Sequence, residues 1–243
     1  MIKPYLFLFF LFNFYSITSL VAQGSNTDSI VSQLAVQNVI SLYNKTLEEK
    51  THLYNGMEYI EEHPGVTGSP YWKSHLLQKG GIHYDGVYYP DIPLAYDIAK
   101  EEVVIRNQQQ LSIKLVFEKI GYFILFNQLF IHIAGDSTNS AGFQPGLYNI
   151  INNGPVTVLA KRRKTPLRVL QPTDHYEFRE QDAYFIRKDE KYYPIDNKST
   201  LLDALQDKDE EMKKFFKKNK FNFRKDLENA IIKTVDYYNL LIK

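Results

Sequence analysis

The sequence predicts an α+β protein, an antiparallel sheet built from β-hairpins with a helical segment at its carboxy-terminal end. Three observations carry this. An Asp85-Gly86 pair sits between two short aromatic and β-branched runs, Ile82 to Tyr84 and Val87 to Tyr89, and such a pair supplies the positive φ angles of a type I′ hairpin turn. From Glu102 to Ile133 one short apolar run follows another with brief polar breaks between them, as antiparallel strands do. After Asn197 the apolar spacing changes to that of helices.

The chain opens with Lys3, an apolar stretch from Tyr5 to Tyr15, and then Ser16, Thr18, Ser19 and Leu20-Val21-Ala22 before a polar segment. That order of charge, apolar run and small residues is the order of a secretory signal. Residues 1–22 are therefore expected to be a signal peptide cut after Ala22, although Leu20 is bulky for its place before the cut. Asn13, Ser16, Thr18 and Ser19 interrupt the ~20 apolar residues that a spanning helix would need, so no transmembrane segment is expected after cleavage.

Residues 23–34 read as a flexible leader. Val36, Val39, Ile40 and Tyr43 recur at helical spacing and predict an N-terminal helix within 35–49. The stretch from Glu58 to Gly81 is broken by Pro64-Gly65, Gly68, Pro70 and Gly80-Gly81 and reads mostly as loop. Pro90 and Pro93 predict an edge strand or a connector. Leu111, Ile113, Leu115 and Phe117 alternate with more polar neighbours, which predicts a strand after the turn at Asn107 to Gln110. Tyr122 to Phe126 and Leu129 to Ile133 flank an expected turn at Asn127-Gln128. Further hairpins are expected around Asn152 to Gly154 and around Asp189-Glu190. The mainly β body then spans 35–198. Residues 199–243 form the helical segment, packed on that body, with Asp209 and Lys213 one turn apart and Asn222 placed to cap the last helix.

Composition narrows function by exclusion. There are 29 Lys+Arg and 28 Asp+Glu, and losing Lys3 with the leader leaves the two in balance. A nucleic-acid binder usually carries a strong basic excess, so none is expected here. The cysteine count is 0, which removes disulfides, thiolate metal sites and a cysteine nucleophile. A mature chain of about 220 residues is long enough to rest on its core alone.

Chemistry-bearing constellations are sparse. No His-Glu-x-x-His helix, calcium loop, phosphate-cradling glycine loop or Gly-x-Ser-x-Gly elbow is present. No metal, cofactor or catalytic residue is expected, and the protein leans away from being an enzyme. Two segments are candidate ligand sites. The basic run Lys161-Arg162-Arg163-Lys164 would suit an anionic group such as a lipid headgroup, an acidic glycan or a partner's carboxylates. Trp72, Tyr88 and Tyr89, with carboxylates nearby, would suit a sugar. Against each stands a structural reading, and it carries more weight: a solvated strand end paired with Glu177, Glu180 or Asp182, and aromatic rings that fill the core.

The segments Leu53 to Tyr59, His83 to Tyr89 with Leu94 to Asp97, Leu159 to Lys164 and Lys191 to Pro194, with the Lys-rich tail behind them, resemble a family of uncharacterised exported proteins from Gram-negative bacteria. The resemblance implies an exported β-rich protein with a helical end, in the periplasm or at the cell surface, and brings no known activity. The expected function is non-enzymatic binding of a partner, a glycan or an anionic ligand. Two alternatives stand beside it. One is a carrier of an apolar ligand in a partial barrel lined by Phe123, Leu125 and Phe130. The other is a hydrolase using His83 or His132 with carboxylates.

Overall fold

A computed structural model describes residues 52–107, 109–135, 142–170 and 174–242. The expected signal peptide and flexible leader, the N-terminal helix expected within 35–49 and most of the Gly135 to Gly142 loop lie outside the described residues.

The first strands are β1 (Met57–Glu58), β2 (Val66–Thr67), β3 (Gln78–Tyr84) and β4 (Val87–Asp97). Asp85 and Gly86 have φ of 51° and 82°, so β3 and β4 are joined by the tight turn that the Asp-Gly pair predicts. Strand β3 begins at Gln78, inside the stretch expected to be loop. Its Gly80 is needed there, because a Cβ would stand 2.3 Å from the Ile124 carbonyl oxygen.

The prolines correct another expectation, for β4 lies between β3 and β5 (Glu102–Arg106). Only Leu94 to Asp97 pair with β5, however. Pro90 and Pro93 sit before that ladder begins, where a missing N–H leaves no bond unmade. Asp91, at φ 55°, accompanies a slip in register opposite Gly80 to Ile82, the mark of a bulge.

Strand β6 spans only Ser112–Lys114, shorter than the alternation from Leu111 to Phe117 suggests. A single 3₁₀ turn at Phe117–Lys119 carries the chain back across the sheet to β7 (Ile120–Leu125), which pairs with β3. Strand β8 (Gln128–Ile133) follows after Phe126 and Asn127, at φ 50° and 57°. That turn falls one residue earlier than expected. The register it sets puts Phe123 opposite Phe130, and their rings stack with centroids 4.7 Å apart.

Strands β9 (Gly146–Asn152) and β10 (Thr157–Lys161) form the next hairpin. Strands β13 (Ala183–Lys188) and β14 (Lys191–Ile195) form the last, with Asp189 and Glu190 at φ 49° and 57°. Between these hairpins the sequence reading missed β11 (Lys164–Val169) and β12 (His175–Glu180). The pair is polar and largely exposed on both faces, so no period-two pattern marks it. The main sheet has eleven antiparallel strands in the order β1-β6-β5-β4-β3-β7-β8-β9-β10-β13-β14, and β11-β12-β2 form a second sheet.

Three α-helices follow among the described residues: α1 (Lys198–Ala204), α2 (Asp209–Lys218) and α3 (Leu227–Leu241). The Asn197 side chain accepts from the amides of Ser199 and Thr200, and Thr200 returns the bond to the Asn197 amide. This is a capping box built with threonine at its third position. Asn197→Ala should lower stability by about 1 kcal/mol in urea unfolding, and a loss below a few tenths would show that the cap contributes little. Asp209 and Lys213 pair at 2.5 Å. The cap of α3 is Asp226, whose side chain accepts from the Asn229 amide, in place of the expected Asn222. Asn222 instead closes the preceding turn by accepting from the Lys225 amide.

One face of the main sheet carries two apolar clusters. The first gathers Trp72, Tyr96, Ile105, Phe123 and Phe130. The second lies under the helices, where Ile231 and Val235 of α3 meet Val158 and Ile186. Buried Asn239 fixes that contact, for its side chain both accepts from the Val156 amide and donates to the Val156 carbonyl, each at 2.9 Å. On the other face Tyr148, Leu159 and Phe185 pack under Phe143. No helix of the described residues is long and apolar enough to cross a membrane.

Candidate functional site

The basic run is where the chain leaves the main sheet for the second one, and three of its four side chains are held inside the protein. Lys161 is 2% exposed, with its ammonium on the Glu101 carboxylate and 5.0 Å from the centre of the Tyr148 ring. Burial pushes the Lys161 ammonium down from its usual pKa, and Glu101 offsets part of that. Lys164 donates to the carbonyls of Ser69 and Tyr71, at 3.1 and 2.6 Å.

Arg162 is the most constrained of the four. Nη1 donates to Asp182 Oδ2 and Glu228 Oε2, both at 2.6 Å. Nη2 donates to Glu228 Oε1 at 3.1 Å and Asn149 Oδ1 at 2.8 Å, and Nε to the same Asn149 oxygen at 3.2 Å. A guanidinium has five N–H donors, and all are used. Burial opposes the charge, but Glu228 and Asp182 outweigh it and hold Arg162 above its ordinary range. Burial likewise pushes the Glu228 carboxyl up, and the bonds from Arg162 bring it below the usual value. Arg162 thus ties β10, β9 and the start of α3 together and has no donor left for an outside anion. Arg163 alone of the run is exposed, with no side-chain hydrogen bond or ion pair among the described residues.

The aromatic candidates are not brought together as a platform. Trp72 is 5% exposed and packs edge-on against Phe126 and Phe130, at 5.7 and 4.8 Å. Tyr89 is buried as well. Tyr88 is half-buried, and its ring stacks on Tyr122, which stacks on His83. Those contacts use ring faces that a sugar would need. A small polar cleft of 260 Å³ lies between Trp72, Lys73, Arg162, Asp182 and Glu228, but its charges are largely paired with one another.

The histidines singled out by sequence are also engaged. His132 bonds the Ile120 carbonyl through Nδ1 at 3.0 Å and packs edge-on against Phe117. The histidine nearest a buried carboxylate is instead His63, whose Nε2 lies 3.8 Å from Asp97 Oδ2. Asp97 is already committed: Tyr59 donates to Oδ2 at 2.8 Å, and the amides of Ala99 and Lys100 donate to Oδ1. Beside it, burial pushes the Tyr71 hydroxyl up to about 12. The cluster closes the turn after β4. Among the described residues no group of three or more His, Asp or Glu side chains is placed to hold a metal ion. Phe123, Leu125 and Phe130, the proposed lining of a carrier, are buried against their neighbours at 0%, 1% and 0% exposure.

A larger opening lies elsewhere. A cleft of 590 Å³ forms where β5 leaves β4, compared with 350 Å³ for one beside the start of α3. Its apolar lining residues are Tyr54, Leu76, Leu77 and Pro93, and its polar ones are His75, Gln78, Arg106, Asn107 and Gln110. Leu76 is 60% exposed and is held there by Ser74, whose hydroxyl accepts from the Leu76 amide at 3.0 Å. The Asn107 side chain accepts from the Leu111 amide at 2.9 Å, and the Gln110 amide donates to the Asn107 carbonyl at 3.0 Å. These bonds give the turn a definite shape. Among the described residues the Arg106 guanidinium has no ion pair and no carboxylate lines the cleft. Sequence reasoning missed this site because its walls come from four separated stretches without a motif. The Asn107 to Gln110 turn was its one visible sign.

Compared with known proteins, the chain matches no family model, no curated protein and no solved structure.

Proposed function

We propose that this is an exported protein, periplasmic or displayed at the cell surface, that works by binding and not by catalysis, with the 590 Å³ cleft at Leu76 and Arg106 as its ligand site. The cleft is the single observation that carries the reading. Its volume falls within the ~300–1,000 Å³ typical of small-ligand pockets, and its lining mixes apolar with polar side chains. Export is supported by the order of Lys3, apolar run and Ala22 at the start of the chain. Carriage of a lipid inside the sheet gains no support from Phe123 and Phe130, which fill space against each other. The hydrolase alternative gains none from His83 and His132, each occupied by packing.

The test is a fragment screen by ¹H–¹⁵N NMR on the mature chain. Shifts should cluster on Leu76, Leu77, Gln78, Arg106 and Gln110, and should vanish in Leu76→Asp, an exposed position where the fold tolerates charge. Shifts that cluster at the Arg162 cleft, or that persist unchanged in Leu76→Asp, would overturn the reading.

A further inference from the structure

The charge pattern of the same cleft defines its ligand more closely, given that the cleft is a ligand site at all. Four other arginines, Arg162, Arg168, Arg179 and Arg187, each hold a carboxylate of the chain itself. Among the described residues Arg106 does not, nor do the exposed Arg163 and Arg224, but Arg106 opens onto a cleft whose described lining contains no Asp or Glu. A single guanidinium in such a wall is complementary to a single negative charge. Its planar fork matches the two oxygens of a carboxylate better than it matches a dianion, which calls for more than one cation.

Beside it stand the carboxamide of Gln110 and the amide NH2 of the Asn107 side chain, whose oxygen already accepts from the Leu111 amide. Carboxamides both donate and accept, so they suit a ligand with N–H and C=O groups next to its carboxylate. A simple fatty acid offers neither. In the same lining, Leu76, Leu77 and Pro93 offer apolar surface for one aliphatic side chain.

We propose that the cleft captures the carboxy-terminal end of a peptide whose last residue is aliphatic: Arg106 takes the carboxylate, Gln110 and Asn107 the last peptide groups, and Leu76 with Leu77 the terminal side chain. Binding of a free carboxy terminus is the kind of recognition that a backbone-rich or amide-rich pocket supports.

The experiment titrates three probes into the folded mature chain by NMR and calorimetry: acetyl-glycyl-glycyl-leucine, its carboxamide, and decanoate. The free acid should bind about tenfold more tightly than the carboxamide, as a charge-assisted bond at Arg106 requires. Arg106→Gln should erase that difference, and a ¹H–¹⁵N spectrum unchanged away from the cleft shows that the variant is folded. Equal binding of acid and carboxamide, or tighter binding of decanoate at the same residues, would overturn the peptide assignment and leave the cleft as a ligand site. Absence of shifts at Leu76 and Gln110 with all three probes would overturn both.

Discussion

Replacing Arg162 with methionine should lower the unfolding free energy by about 3 kcal/mol, the lower end of the cost of breaking a buried ion pair. The lower end applies because the Glu228 side chain is a third open to solvent, at 33%, while Asp182 is 15% exposed. Methionine fills much of the arginine's volume but leaves two carboxylates and the Asn149 oxygen without their donors. Urea unfolding followed by circular dichroism measures the loss, and a change under about 1 kcal/mol would show that water replaces the guanidinium at little cost.

Acid sensitivity provides an independent readout. Because Arg162 holds the Glu228 carboxyl below its ordinary value of 4.5, the stability from that bond is fully present above this pH. It is lost as pH falls through the lower value of the folded state. In the methionine variant burial pushes the same carboxyl up, opposed only by the Tyr184 hydroxyl and the charge of Lys73. The wild type should therefore lose stability on acidification below about pH 4.5, whereas the variant should gain some between neutrality and pH 5. Parallel curves for the two proteins would contradict the assignment.

Phe130→Ala should cost about 3–5 kcal/mol, the usual range for removing a fully buried aromatic ring. Phe130 is 0% exposed, stacked on Phe123 and edge-on to Trp72 and Tyr96, at 4.8 and 5.3 Å. No small shift of neighbours can fill that space. The chain has 1 tryptophan, so its fluorescence reports the surroundings of Trp72, Phe130 among them, and the emission should move to the red in the variant. A loss below about 1 kcal/mol with unchanged emission would mean that Phe130 lines an adaptable cavity, as a lipid carrier would have.

The parts of the fold that were legible in sequence are those fixed by local chemistry. Asp85-Gly86 and Asp189-Glu190 announce their turns because their residues tolerate positive φ, and Leu201 to Ile242 show helical spacing because one side of each helix is covered. The β11–β12 hairpin was illegible for the opposite reason: Arg168, Glu177 and Arg179 face solvent, so no alternation develops. The basic run was legible as charge but not as structure. Its partners Glu101, Asp182 and Glu228 come from a turn after β4, the start of β13 and the start of α3, and only the folded chain shows that they meet. The cleft was hidden in the same way, since nothing in sequence links Leu76 to Arg106.

The order of strands in the main sheet also bears on how the chain reaches this state. Strands β3 to β6 and β7 to β10 are each uninterrupted runs of sequence neighbours, so each run closes only short loops as it assembles. Loop-closure entropy is small for such contacts, and hairpins form in about 1–10 μs. The ladder between β3 and β7 must wait until the intervening strands are in place, because it joins the two runs across them. That seam, where Gly80 lets two backbones approach, is with the β1–β6 and β2–β12 pairings one of the long-range contacts that slow folding.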